Sequence, residues 1–345
     1  MAQAQYLRGT ALAILGQTPA AIAAFESCRK IAAKAEGRTK QARREQDDLE
    51  SRCLAGLARS HYEARQYDKA EEIYDEIPKS SFVWTDILFE QAWNAFAKGD
   101  HNRALGKLVT YRSPSLAFVF NPEVDVLRAQ AFLSLCLYDD VNRSVNEFNS
   151  AYSSVGGRMK NFLLQNEKNL PAFHALAKRT FFAKLHSPDM MNRALNRFIR
   201  GPYYASLIAQ ERATAREEKR IRGYYPRADG FQGGFGGFLD KVLEWRKKSI
   251  SLLGGLYVKN SLYDLYQELL ADFDKMSFVK LDMLGKAKAR LERKAAMSED
   301  EDGVLKKGKA SIDRRDYQYF FTFNGEFWSD ELGDYVFALE SECGQ

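Results

Sequence analysis

Long hydrophobic runs are missing from this chain. No stretch approaches the roughly 18 apolar residues of a helical membrane span, and no signal-peptide pattern opens it. Proline is scarce, eight in 345 residues, and Val-Ile-Thr runs are few. With abundant Ala, Leu, Lys, Arg and Glu, that excludes a mostly β chain and favours helix. None of the four cysteines, Cys28, Cys53, Cys136 and Cys343, stands in a CxxC pair, so a zinc ribbon or a thioredoxin-type motif is unsupported. The plain reading is buried thiols on helices. A Cys28–Cys53 bridge between neighbouring predicted helices is the alternative, subject to the distance a disulfide demands. The histidines, His61, His101, His174 and His186, form no HExxH or other metal-ligand spacing, so no metal is expected. Excess charge is small. A formal +5 spread over the whole chain is too mild for a nucleic-acid partner, which needs a concentrated basic face.

What is present is an internal repeat. In ARQYDKAEEIYDEIP, residues 64–78, Tyr67, Ala70, Tyr74 and Pro78 match the second helix of a tetratricopeptide repeat (TPR). The small Ala fits where two helices cross closely. The register recurs in LGQTPAAIAAFESC (Gly16, Ala21, Phe25, Cys28), in AKGDHNRALGKLVTYRSP (Gly99, His101, Ala104, Leu108, Tyr111) and in LCLYDDVNRSVNEF (Tyr138, Val141, Val145, Phe148). The close-approach positions Ala21, Ala70, Ala104 and Val141 are 49, 34 and 37 residues apart, against a TPR period of about 34. The long first interval holds EGRTKQARREQDDLE.

Such arrays bind with the concave face formed by the first helix of each hairpin. The register assigns Tyr6, Arg52, Arg59, Tyr62, Phe89, Trp93, Phe96, Val126, Gln130 and Leu133 to it. With Phe89 and Trp93 at its centre, this face does not suit the Lys/Asn/Arg clamp used for acidic C-terminal peptides. Two occupants fit equally: a partner segment, or the chain's own C-terminal half.

Beyond about residue 158 the repeat fades. Helices broken at Pro171 are followed by a helix N-capped at Ser187 and interrupted near Gly201-Pro202. A glycine-rich loop, YYPRADGFQGGFGGF, leads into a long helix from about Phe238 to Ala296. Its stripe Ile250, Leu253, Tyr257, Leu262, Leu265, Leu269, Phe273 and Met276 predicts an antiparallel pairing with residues 187–222. Gly254-Gly255 is a candidate break. The loop is no Walker or dinucleotide motif: no strand precedes it and Phe-Leu-Asp follows Gly237. No cofactor is expected. SEDEDGVLKKGKA, residues 298–310, reads as a charged linker.

The end of the chain differs in character. YQYFFTF and DYVFALESE read as aromatic strands, with a turn at Asn324-Gly325 and a single capped turn in SDEL. Between them lie Glu326, Trp328, Asp330 and Glu331, and the second opens on Asp334 and Tyr335. Paired carboxylates can serve general acid–base chemistry, but no cleft-forming fold is indicated around these, so a cap is the preferred reading and no enzyme is expected. The segment FNGEFWSDELGDYVFALESEC resembles the C-terminal signature of a group of TPR proteins from predatory and gliding delta-proteobacteria. Gly325, Glu326, Phe327, Trp328, Asp330, Glu331, Leu332, Gly333, Tyr335, Ser341 and Cys343 carry the likeness. Some of that group are adventurous gliding-motility proteins, TPR components of the cell envelope. The resemblance covers the tail well and the TPR half only generically. It implies a secreted or periplasmic scaffold and carries over no catalytic residue.

The expected architecture is therefore mainly α: a TPR-like helical-hairpin array (1–157), long antiparallel helices (158–297), a charged linker (298–311) and a C-terminal β-hairpin (312–345). The expected role is a protein–protein interaction scaffold of the envelope, with a cytoplasmic TPR adaptor as the alternative. Because MAQAQYLRGTALAILGQ begins inside a helical pattern, native residues are expected to precede Met1.

Overall fold

The computed structural model describes residues 1–34, 40–224, 235–297 and 325–343. Its regular structure is helical throughout: α1 (Ala2–Ile14), α2 (Thr18–Lys34), α3 (Lys40–Glu63), α4 (Tyr67–Asp75), α5 (Trp84–Ala97), α6 (His101–Val109), α7 (Glu123–Ser134), α8 (Tyr138–Gln165), α9 (Leu170–Phe182), α10 (Met190–Ile199), α11 (Pro202–Tyr224) and α12 (Phe235–Met297), with two short 3-10 turns at Thr110–Arg112 and Pro114–Leu116. No β-strand occurs among the described residues. They fall into two compact units: Met1–Ser113, Val124–Ser144 and Val279–Gln345 form one, Pro114–Glu123 and Val145–Phe278 the other.

In the first unit successive helices lie against one another, α1 on α2, α2 on α3, α3 on α4, α4 on α5 and α5 on α6. Four of the connections share one local geometry. Gly16, Arg65, Gly99 and Cys136 each adopt a left-handed backbone, with φ of 70°, 57°, 81° and 56°. Around each, the same two hydrogen bonds close the preceding helix. The residue's own N–H donates to the carbonyl three residues back, and the next N–H donates to the carbonyl five residues back: Gly99 to Phe96 and Asp100 to Ala95, for instance, or Cys136 to Leu133 and Leu137 to Phe132. This is the Schellman arrangement, which satisfies carbonyls that a helix end leaves orphaned. Five residues after each of these positions stand Ala21, Ala70, Ala104 and Val141, all fully buried. The turns therefore repeat at the same 49-, 34- and 37-residue intervals as the small residues.

All four cysteines are paired, Cys28 with Cys53 and Cys136 with Cys343. The buried-thiol expectation is thereby corrected. The first bridge ties α2 to α3, and the second ties the end of α7 to the end of the chain.

Among its described residues the tail shows no hairpin. The first expected strand and Asn324 lie outside the described residues, as does the charged linker. The second, DYVFALESE, is extended but pairs with no strand among the described residues. Helix-end groups satisfy its backbone instead: Phe337 N–H donates to the Asn102 carbonyl (3.1 Å), Leu339 N–H to Asn102 Oδ1 (2.9 Å) and Glu342 N–H to the Leu135 carbonyl (2.9 Å). An extended strap needs no second strand when the helices it crosses supply the partners.

The second unit holds α8 from Val145 onward, α9, α10, α11 and α12 as far as Phe278. Asp189, not Ser187, caps α10, accepting from Met191 N–H at 3.0 Å; Ser187 Oγ accepts from Asp189 N–H and Asn192 Nδ2. Pro202 opens α11 after Gly201, where its missing N–H costs nothing. Helices α11 and α12 run antiparallel: Glu217 pairs with Arg246 and Glu218 with Lys247, while Tyr257 donates to the Phe198 carbonyl and Arg197 pairs with Glu268 further along. Helix α12 continues unbroken through Gly254-Gly255. These glycines serve close approach instead. A Cβ on Gly255 would lie 2.0 Å from the Leu170 carbonyl oxygen, and one on Gly254 2.4 Å from His174 Nδ1. Of the glycine-rich loop, residues 225–234 lie outside the described residues. No described helix is long and apolar enough to cross a membrane.

Candidate functional site

A cavity of about 280 Å³ opens between α1, α2 and α3, lined among others by Tyr6, Thr10, Phe25, Gly56, Arg59 and Glu63. Phe25 forms its floor because two glycines leave space for the ring. A Cβ at Gly56 would come within 2.4 Å of it, and one at Gly9 within 2.9 Å. Tyr6 meets the Phe25 ring edge-on, with centroids 6.0 Å apart.

Arg59 leads out of this cavity along the surface. Its guanidinium donates twice to Glu90 on α5, at 2.8 and 2.7 Å, and Tyr74 donates its hydroxyl to the same carboxylate at 3.0 Å. The Glu90 hydrogen bond holds Arg59 more firmly protonated than usual, and burial pushes the Tyr74 phenol well above its ordinary range. Arg59 is thus a wall held in place by a planar two-point ion pair. It is not a loose cation awaiting a ligand carboxylate.

Next to Glu90 begins a row of aromatics on one face of α5. Phe89 and Trp93 meet edge-to-face with centroids 6.4 Å apart, Trp93 and Phe96 at 5.7 Å. All three are half-buried, backed by Ala92, Leu108, Val124 and Leu127. Tyr111 donates its hydroxyl to the Thr85 carbonyl behind them. The outward parts of the rings remain accessible, so the face offers apolar area held rigid by its backing.

The other assigned lining residues distribute unevenly. Arg52 is exposed, its guanidinium 4.6 Å from the centre of the Phe82 ring. Tyr62 is half-buried against Tyr67, and Gln130 is half-buried on α7. Val126 (1% exposed) and Leu133 (7%) are core residues of the first unit and offer a ligand no surface. Their placement on an open face is corrected: α7 is covered on the side that the repeat register left open. Sequence reasoning missed Glu90 and Glu63. Glu90 reads as a solvated position until the neighbouring α3 brings the Arg59 guanidinium to it, and Glu63, exposed at the rim of the cavity, carries no signal of its own.

The signature residues of the tail form a second cluster. Lys79 Nζ donates to the Asp330 carbonyl and to Asp334 Oδ2, both at 2.7 Å. Gly333, with φ of +88°, donates its N–H to Thr110 Oγ1 at 3.0 Å and lies against Trp84 and Leu88. The Tyr335 hydroxyl accepts from Trp328 N–H at 3.1 Å, and its ring meets Phe327 edge-on. Burial raises the Tyr335 phenol. Glu326, Trp328 and Asp330 are exposed and Glu331 is half-buried. Leu332 is buried, and Phe337 and Leu339 pack on Leu105, Ala131 and Leu135. The acids converge on no common point. The aromatic and aliphatic residues of the segment anchor it.

Compared with family models, with curated proteins and with solved structures, the chain matches none.

Proposed function

We propose that this chain is a non-enzymatic interaction scaffold built on a TPR-like hairpin array. It takes up an extended apolar segment of a partner protein along the cavity of α1–α3 and the aromatic row of α5. The observation that carries this reading is continuity. Arg59 lines the cavity and pairs with Glu90, which neighbours Phe89 at the head of the row. A cavity of about 280 Å³ accommodates one large side chain, and the row offers stacking surface to the residues that follow. The four equivalent Schellman turns support the array.

The compartment we propose is an oxidising one, in line with the resemblance of the tail to envelope proteins of gliding bacteria. Two pairings that use every cysteine of the chain support it, since reducing cytosol disfavours structural disulfides. The cytoplasmic adaptor is the competing reading, and it requires four free thiols in the native protein.

The test places a photo-cross-linking phenylalanine analogue at Tyr6 and, separately, at Phe89. Mass spectrometry then identifies the captured peptide in envelope fractions. The same partner segment at both positions, lost on Phe89→Ala/Trp93→Ala with helicity retained, is the expected result. Different or no peptides at the two positions would sink the groove.

A further inference from the structure

The net charge of +5 is not evenly dispersed along the chain: one stretch, folded back on itself, carries an equal excess. The paired ends of α11 and α12, residues 212–224 and 235–248, hold nine Lys/Arg and four Asp/Glu, a net +5 that equals the excess of the whole chain. Of these bases, Arg222, Arg246 and Lys247 are spent on Glu217 and Glu218, and Arg212 lies over Phe182. Arg216, Lys219, Arg220, Lys241 and Lys248 are exposed, with no ion-pair partner among the described residues.

The same end of α12 exposes Phe235 (64%), Phe238 (60%) and Trp245 (70%), with Val242 between them. Their spacing of three, four and three residues puts the four on one helical face. Lys241 and Lys248, each three or four residues from a ring on that face, border it. The three rings alone leave on the order of 400 Å² of apolar area in water.

We propose that this end of the α11–α12 pair is a docking surface for a lipid bilayer carrying anionic headgroups. The rings enter the headgroup–acyl boundary and the five unpaired bases meet the headgroup charge. Charge decides the occupant. A second copy seated face to face would bring Lys241 and Lys248 against their own kind and leave the bases unpaired. A soluble polyanion would use the bases and leave a phenylalanine–valine–tryptophan face wet. An anionic interface satisfies both. It also fits a helix that lies on a membrane, because α12 is not apolar enough to cross one. The surface shares no residue with the proposed groove.

The experiment uses the full chain with large vesicles of phosphatidylcholine alone and with 30% phosphatidylglycerol, read by flotation and by tryptophan emission. Binding to the anionic vesicles, weakening as salt rises, with a blue shift absent from Trp245→Ser, is expected. Arg220→Glu/Lys241→Glu/Lys248→Glu lowers the partition coefficient by about 100-fold or more. Phe235→Ser/Phe238→Ser abolishes the shift. Phe89→Ala/Trp93→Ala changes neither reading, which separates this surface from the groove. All substituted residues at the docking surface are exposed, and circular dichroism verifies that each variant is folded. Equal binding to both vesicle types, or none, overturns the proposal. So does binding that depends on the bases and not on the rings, which would indicate a soluble polyanion. Dimerisation in light scattering that is lost in Phe235→Ser/Phe238→Ser would assign the face to a second copy.

Discussion

Asn102 exchanges two hydrogen bonds with the backbone of Leu339: its Oδ1 accepts from the Leu339 N–H at 2.9 Å, and its Nδ2 donates to the Leu339 carbonyl at 3.1 Å. One side chain near the start of α6 thus plays the part of a neighbouring strand for the C-terminal strap. Asn102→Ala removes both bonds and is expected to cost about 1–3 kcal/mol. With Cys136–Cys343 intact the strap stays tethered. The full effect is expected in a Cys343→Ser background, read as faster amide exchange over residues 335–343.

Gly106→Ala tests the same contact with an opposite local bias. A Cβ there would stand 1.8 Å from the Tyr335 carbonyl oxygen, although alanine favours an isolated helix by about 1 kcal/mol. Net destabilisation and protease sensitivity in the tail are expected. A more stable protein would mean that the strap does not lie on α6.

Arg65 holds a left-handed backbone that glycine holds at the equivalent positions Gly16 and Gly99. A side chain there costs about 1–2 kcal/mol. Arg65→Gly should therefore stabilise the first unit by about 1 kcal/mol, less the added freedom of glycine in the unfolded chain. Gly99→Ala should destabilise by a similar amount. Chemical denaturation of the two variants checks both signs.

The bridges enclose very different lengths, with sequence separations of 25 for Cys28–Cys53 and 207 for Cys136–Cys343. The chain-entropy argument gives about 3 kcal/mol for the shorter and about 5 kcal/mol for the longer. Thiol titration of the denatured, unreduced protein should find no free thiol. Reduction should lower the melting temperature, with Cys343→Ser accounting for release of the tail and Cys28→Ser/Cys53→Ser for loosening of α2 on α3.

His174 is buried beside Tyr204, whose hydroxyl lies 3.3 Å from Nδ1, with Glu211 3.6 Å from Nε2 and Lys178 paired to Glu211. Burial lowers its pKa from the ordinary 6.5, partly offset by Glu211, and burial lowers His101 likewise. The folded state therefore binds fewer protons than the unfolded state just below pH 6.5, and stability falls as pH drops through that range. Melting temperature should decline from pH 7.5 to 5.5, and His174→Gln should flatten part of the decline.

Helix was legible in the sequence because composition and apolar periodicity act locally. So was the spacing of the helix-ending turns, because the buried residues Ala21, Ala70, Ala104 and Val141 each stand five positions after one. The aromatic row of α5 followed from the same register. The partner of the described tail was not legible, because alternation marks extended backbone but not its hydrogen-bond partner. That partner proved to be Asn102, more than two hundred residues away. Gly254-Gly255 read as a break because a glycine pair weakens an isolated helix. In the fold, α9 approaches so closely that only glycine fits.

Local pattern alone made this chain helical and set the interval of its turns and of the small buried residues that follow them, since each of these depends on residues within a few positions of one another. Tertiary packing settled which cysteines meet, that Glu90 holds Arg59, and that the tail is a strap over α6 and α7. Those outcomes depend on the juxtaposition of side chains far apart in the chain, and no local pattern encodes it.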